Sequence, residues 1–324
     1  MTFESRKIIK FGNSSHVVSL PSSWVKKNKL NKGDKVFLKE SLNNELVIFT
    51  NSEQGKEIIK EITIDATNKP FLYIDNALIS AYINDYNIIK IIGKNLDKTA
   101  NDIRKIIHEL AGLEVIEQNN DRIIAKDFLN VKDISLDTII RRSDIILRNM
   151  LLSLKDCAKN GSGDCSITVS NSDMDVNRLC FVLNKVSRKA FDNPQFAKDL
   201  NMSAYSIINY YRFMFNLENF GDEIKRVARL FTIAKKSKKN NIKSFVVHYE
   251  TIESMYLDTM KAFYSKDSEL AYRIYGDVKD VIINVNEMLE HNVYPVDVRI
   301  VEKLKNMLIC IKRMVRITIN LSIG

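Results

Sequence analysis

The feature that most constrains this chain is a succession of long, unbroken helical patterns from about residue 134 to the end. Ile139–Lys159, Asp173–Phe191 and Ala204 to about Lys236 each carry apolar residues at three- and four-residue intervals, the repeat of an amphipathic helix. Phe245–Tyr264, Glu269–His291 and, after Pro295, Val298–Leu321 repeat the pattern in the same order. The whole chain has only ten Gly and four Pro in 324 residues, well below the usual frequencies of about 7% and 5%. So few chain-breakers exclude turn-dense sandwiches and barrels. Two successive sets of three helices predict a duplicated three-helix bundle, residues 134–239 and 244–324, joined by the basic connector KKSKKNNIK at 235–243.

Ahead of the helices lie two smaller units. Residues 1–52 read as a β module: RKIIKF, HVVSL, KVFLKE and ELVIFT are short β-type runs separated mostly by GNSS, NKGD and LNNE turns. Pro21 suits the first turn of a short helix, with Lys26, Lys27 and Lys29 at its cation-favouring end. In the last strand Leu46, Val47, Ile48 and Phe49 are apolar on both faces. A unit of about 50 residues cannot bury such a strand by itself, which predicts an intertwined dimer. Residues 56–130 alternate strand and helix: IIKEITI, a helix near Phe71–Ile83, NIIKII, a helix at Ala100–Leu110, then LEVIEQ and RIIAKDF as a hairpin. That pattern predicts a small α/β middle domain.

Charge and chemistry narrow the function. Lys and Arg exceed Asp and Glu by nine, and residues 1–50 hold nine basic against four acidic residues; this suits a polyanionic partner. Cys157, Cys165, Cys180 and Cys310 form no C-x-x-C pair, and a chain this long needs no disulfide staple, so reduced thiols in a cytoplasmic protein are expected. No run approaches the about 20 apolar residues of a membrane span. Signatures of nucleotide-binding loops, serine hydrolases and zinc peptidases are absent, and His16, His108, His248 and His291 are scattered. Glu287 and His291 share a helical face, a spacing usual for a surface pair. An enzyme is not expected.

The segment Arg6 to Val36 carries a resemblance. Gly12–Trp24 followed by Leu30-x-Lys-Gly-Asp34 resembles the SpoVT/AbrB swapped-hairpin DNA-binding domain, in the form joined to archaeal PhoU-type regulators. The resemblance implies an interleaved homodimer through residues 1–52 that binds double-stranded DNA. It implies DNA binding through the basic residues Arg6, Lys7 and Lys10 of the β face, with Lys26 and Lys27 as phosphate contacts. Leu110–Ile124 is similar to the intermediate segment of those proteins. Asp173–Leu183 and Leu217–Ala228 resemble the paired helices of a PhoU repeat.

In that family an acidic-x-x-x-Asp motif on each helix can hold a metal ion or cluster. Glu218 and Asp222 match it, with Gly221 leaving room beside them; on the partner helix Asp173 matches and Asn177 is a weaker, neutral donor. The resemblance thus implies iron or zinc in the first repeat only. Residues four apart share a helical face, and Asp222–Arg226 is such a pair, so the same patch also reads as a solvated helix face. In the second repeat Val278, Ile282, Lys312 and Arg316 stand at the four positions, where apolar and cationic groups cannot ligate a metal. Lys312 and Arg316 are left as salt-bridge partners or anion contacts.

The expectation is therefore a multi-domain, mainly α protein: a cytoplasmic, dimeric transcriptional regulator of phosphate uptake with PhoU-like bundles as its sensor. The alternative is an adaptor that does not bind DNA and docks on a phosphate transporter or sensor kinase. A carboxylate-bridged metalloenzyme is the weakest reading, since dinuclear bundle enzymes use several Glu with Glu-x-x-His pairs that this chain lacks.

Overall fold

A computed structural model describes residues 4–13, 15–40, 46–50, 59–94, 96–160, 165–237, 242–287, 289–290 and 293–323. The chain divides into two compact units, Met1–Ile59 and Lys60–Gly324. In the first, β1 (Ile9–Phe11) pairs antiparallel with β2 (Ser15–Val17), and β3 (Phe37–Glu40) with β4 (Leu46–Phe49). The helix α1 (Ser22–Lys27) follows Pro21 and ends on Lys26 and Lys27. Gly12 turns the first hairpin in the left-handed region, at φ 68°. None of the described residues of this unit is buried.

The second unit begins with the α/β layer. Strands β5 (Glu61–Asp65), β6 (Ile88–Ile92), β7 (Leu113–Gln118) and β8 (Arg122–Asp127) form one sheet in the order β5-β6-β8-β7. β5 and β6 are parallel, joined by α2 (Phe71–Ile83); α3 (Ala100–Glu109) then leads into the β7–β8 hairpin. α2 forms because Pro70 starts it and Ile74, Leu78, Ala81 and Tyr82 repeat at helical spacing, which buries one stripe against the sheet. Asp85 follows the helix at φ 61°, a left-handed position that Asp tolerates and that ends the helix.

The helical part comprises α4 (Leu136–Asn160), α5 (Cys165–Asp192), the short α6 (Pro194–Asp199), α7 (Ala204–Ser237), α8 (Ile242–Ser265), α9 (Ser268–Glu287) and α10 (Pro295–Ile323). α4, α5 and α7 pack as one set, and α8, α9 and α10 as the other. The α7–α10 and α4–α8 contacts join them around one continuous core. The molecule is mainly helical with a small sheet region, as expected. Two details differ. α5 begins at Cys165 rather than near Asp173, because Val169 and Val176 continue the buried stripe. The short α6 has too little apolar periodicity to announce itself and is fixed by Phe196 in the core. Of the expected connectors, the GSGD part of GSGDC and residues 238–241 of KKSKKNNIK lie outside the described residues.

The expectation of four free thiols is corrected: Cys157 near the end of α4 and Cys165 at the start of α5 form a disulfide. Both half-cystines are buried, and the eight-residue separation lets two antiparallel helix ends meet. Cys180 and Cys310 remain free. Among the described residues no helix is long and apolar enough to cross a membrane.

Candidate functional site

The first candidate surface is the N-terminal unit. Arg6, Lys7, Lys10, Lys26 and Lys27 are all exposed; Arg6 is paired with Glu4. The apolar side chains around them are exposed too. Ile8 is 73% accessible, Phe11 70%, Leu38 61% and Leu46 57%. Strand pairs with this much exposed apolar surface, and no buried residue among those described, show no core of their own there.

The second candidate is the paired-helix cluster of the first repeat. Asp173 and Asn177 rise one turn apart on α5, and Glu218 and Asp222 one turn apart on α7, which packs on α5. Lys225 joins the two helices here. Its Nζ donates to Asp173 Oδ2 at 2.5 Å and to Asp222 Oδ1 at 2.6 Å. Arg226 Nη2 donates to the other Asp222 oxygen at 3.0 Å and also pairs with the buried Glu223. Burial raises the Asp173 carboxyl, against the pull of Lys225. Burial, and after it the charges of Asp222 and Asp173, push Glu218 up to about 7. For Lys225, burial works against the charge, and the bonds to Asp173 and Asp222 outweigh it, leaving the ammonium raised.

The family resemblance implies a metal here, and the residues present do not fit one. The position between Asp173 and Asp222 that a cation would take is filled by Lys225, and no group of three or more His, Cys, Asp or Glu among the described residues is arranged to hold an ion. One lysine does leave acceptors over: Asp173 Oδ1 and Asn177 Oδ1 are buried without a hydrogen-bond partner. A protonated Glu218, an O–H donor, is the complement such acceptors need. Gly221 has a different part from the one expected of it. A Cβ there would stand 2.9 Å from Leu147 Cδ2 and 3.7 Å from Asp173 Oδ1, so the glycine lets α7 approach α4.

In the second repeat the equivalent positions are packing positions. Val278 on α9 is fully buried and Ile282 packs against the same core. On α10 the Lys312 ammonium lies over the Tyr275 ring, 5.0 Å from its centre, a cation–π contact rather than the expected salt bridge or anion contact. Arg316 is exposed and makes no ion pair among the described residues.

Three polar features escaped the sequence reading. Lys185 on α5 is fully buried, pairs with Asp127 at the end of β8, lies 3.5 Å from Asp85 and sits 4.4 Å from the Tyr82 ring centre. Lys189 reaches Asp85 at 3.2 Å. These contacts fasten the α/β layer to α5. The third is Asp144 on α4, which accepts from Tyr256 Oη at 2.9 Å, Tyr264 Oη at 3.0 Å and Arg148 Nε at 2.8 Å. It ties α4 to α8 and so the two repeats to each other. A lysine on the apolar stripe Leu179–Val182–Leu183–Val186 was the one signal in the sequence, since an unpaired cation is not buried there.

The geometry defines a class: a mainly helical protein of two three-helix sets, an α/β layer docked on the first set, and a separate β unit bearing exposed cations. No family model matches the chain, and no curated protein matches it. Among solved structures, PhoU from Pseudomonas aeruginosa is similar at 17% identity, over 58% of this chain and 91% of that one, with a TM-score of 0.43. At that level the likeness adds no weight to any residue assignment.

Proposed function

We propose that this chain is a dimeric, DNA-binding regulator of phosphate homeostasis whose helical part senses state and whose N-terminal unit contacts the operator. The observation that carries it is the N-terminal unit itself: two antiparallel strand pairs, no buried residue among those described, apolar side chains on both pairs and lysines beside them. A second copy supplies the missing core, and two interleaved units bring Arg6, Lys7, Lys10, Lys26 and Lys27 together twice over. Positive charge doubled in this way is what a regular polyanion rewards. The phosphate assignment rests on the resemblance of Asp173–Leu183 and Leu217–Ala228 to PhoU repeats.

The test is fluorescence anisotropy of the full chain on the DNA upstream of its own gene and on shuffled DNA across a salt series. The upstream DNA binds more tightly, and the logarithm of the binding constant falls linearly with the logarithm of salt. Replacing Lys26 and Lys27 by Ala weakens both DNAs alike and makes the slope shallower, by about 3.6 if both copies make those contacts. A flat salt response, or equal binding to both DNAs, supports the adaptor that docks on a transporter or sensor kinase.

A further inference from the structure

Where the α/β layer meets the first helix set, the structure forms a half-open cavity of about 520 Å³. Its floor is apolar: Ile139 and Ile146 of α4 face Leu179 and Val182 of α5. The opposite wall comes from the layer, at Leu129. That wall is held in place because Gly112 turns at φ 78°, and a Cβ on it would stand 2.8 Å from Leu129 Cβ. The buried Lys185 pairs already described clamp the same junction, so the cavity is framed by docked elements rather than by a loose loop.

Arg142 on α4 and Arg178 on α5 stand on the two helix walls of this cavity. Arg142 makes no ion pair among the described residues; Arg178 approaches Asp175, at 4.0 Å, and its charge also acts on the Glu109 carboxyl. Both guanidiniums therefore keep most of their five donors for something else. Asp133 and Asp175 share the rim, and Asp133 already accepts from Asn130 Nδ2 at 2.6 Å. These two carboxylates, with Glu109 behind Arg178, leave no excess of positive charge at the rim. A dianion would meet like charges, whereas a monoanion needs one planar fork and tolerates the remainder. The size lies within the range of about 300–1,000 Å³ usual for small-molecule sites, which favour junctions between domains.

We infer that this junction is a binding site for a small amphipathic monocarboxylate, its apolar body on the Ile139–Leu179 floor and its carboxylate on Arg142 and Arg178. Such a ligand touches α4, α5 and the α/β layer at once, so it favours the docked arrangement of the three. The inference is independent of DNA binding and of the phosphate assignment.

Isothermal titration calorimetry of the full chain with octanoate, octanamide and inorganic phosphate tests it. Octanoate binds saturably at millimolar concentration or below, octanamide binds about tenfold more weakly or not at all, and phosphate does not compete. Arg142→Gln and Arg178→Gln each weaken octanoate by about tenfold. Both positions are exposed, and the octanoate–octanamide comparison on the unaltered chain stands even if a variant fails to fold. The inference is overturned by absence of saturable octanoate binding, by octanamide binding equally well, by phosphate displacing octanoate, or by both Gln variants binding as the parent does.

Discussion

Lys225 lies three residues after Asp222 on α7 and reaches both that carboxylate and Asp173 on α5. It turns what resembled a metal-ligand set into an ion cluster with its own cation. Lys225→Met leaves Asp173 buried without its partner; we expect a loss of about 2 kcal/mol in urea unfolding, less than for a fully buried pair because Lys225 and Asp222 keep some access to water. Elemental analysis of the purified chain after exposure to zinc or iron should find no stoichiometric metal. One ion per chain, lost in Asp222→Asn, would contradict the cluster as described. Glu218 adds a pH signature. Its folded value of about 7 lies above its ordinary 4.5, so the unfolded chain gives up this proton first and the group costs stability as pH rises from about 4.5 to 7. Glu218→Gln should therefore flatten the melting temperature over that window and raise it at pH 8. The carboxylates were legible in the sequence because i, i+4 spacing fixes a shared face. Lys225 was not: its i, i+3 relation to Asp222 is ordinary on any helix, and its decisive partner lies 52 positions away.

At the scale of elements, apolar periodicity read the helices well, because a continuous buried stripe is a property of sequence alone. α2 at Phe71–Ile83 and α7 at Ala204–Ser237 fall where the pattern puts them. What joins the elements was less visible. The Lys185 clamp unites α5 with the end of β8 and the turn after α2, and the Asp144 hub unites α4 with α8; each depends on partners more than fifty residues apart. Lys185→Met should cost about 3–5 kcal/mol, since it strands the buried Asp127 carboxylate. Hydrogen exchange should show the loss first in β8 and α2. The disulfide belongs to this scale as well. Cysteine count and chain length argue for free thiols, yet the packing of α4 on α5 brings Cys157 and Cys165 together. Reduction with dithiothreitol should lower stability by about 2–3 kcal/mol, the chain-entropy value for a loop of this length.

For the whole molecule, the basic excess of nine and the scarcity of Gly and Pro have different origins. The helical sets account for the missing chain-breakers. Part of the charge lies in the N-terminal unit, and part in lysines that fill structural positions, Lys185 and Lys225 among them. The sequence reading of residues 1–52 turned on one strand being apolar on both faces. The strand pairs expose Phe11, Leu38, Leu46 and Val47 to solvent. A second copy of the chain is the proposed occupant of that surface. Sedimentation equilibrium of the full chain tests it most directly. The proposed dimer gives a mass of twice 37.3 kDa at micromolar concentration, falling to one chain in Phe11→Glu/Leu38→Glu with helical circular dichroism unchanged. A parent chain that sediments as a monomer, or a dimer indifferent to that double substitution, would contradict it.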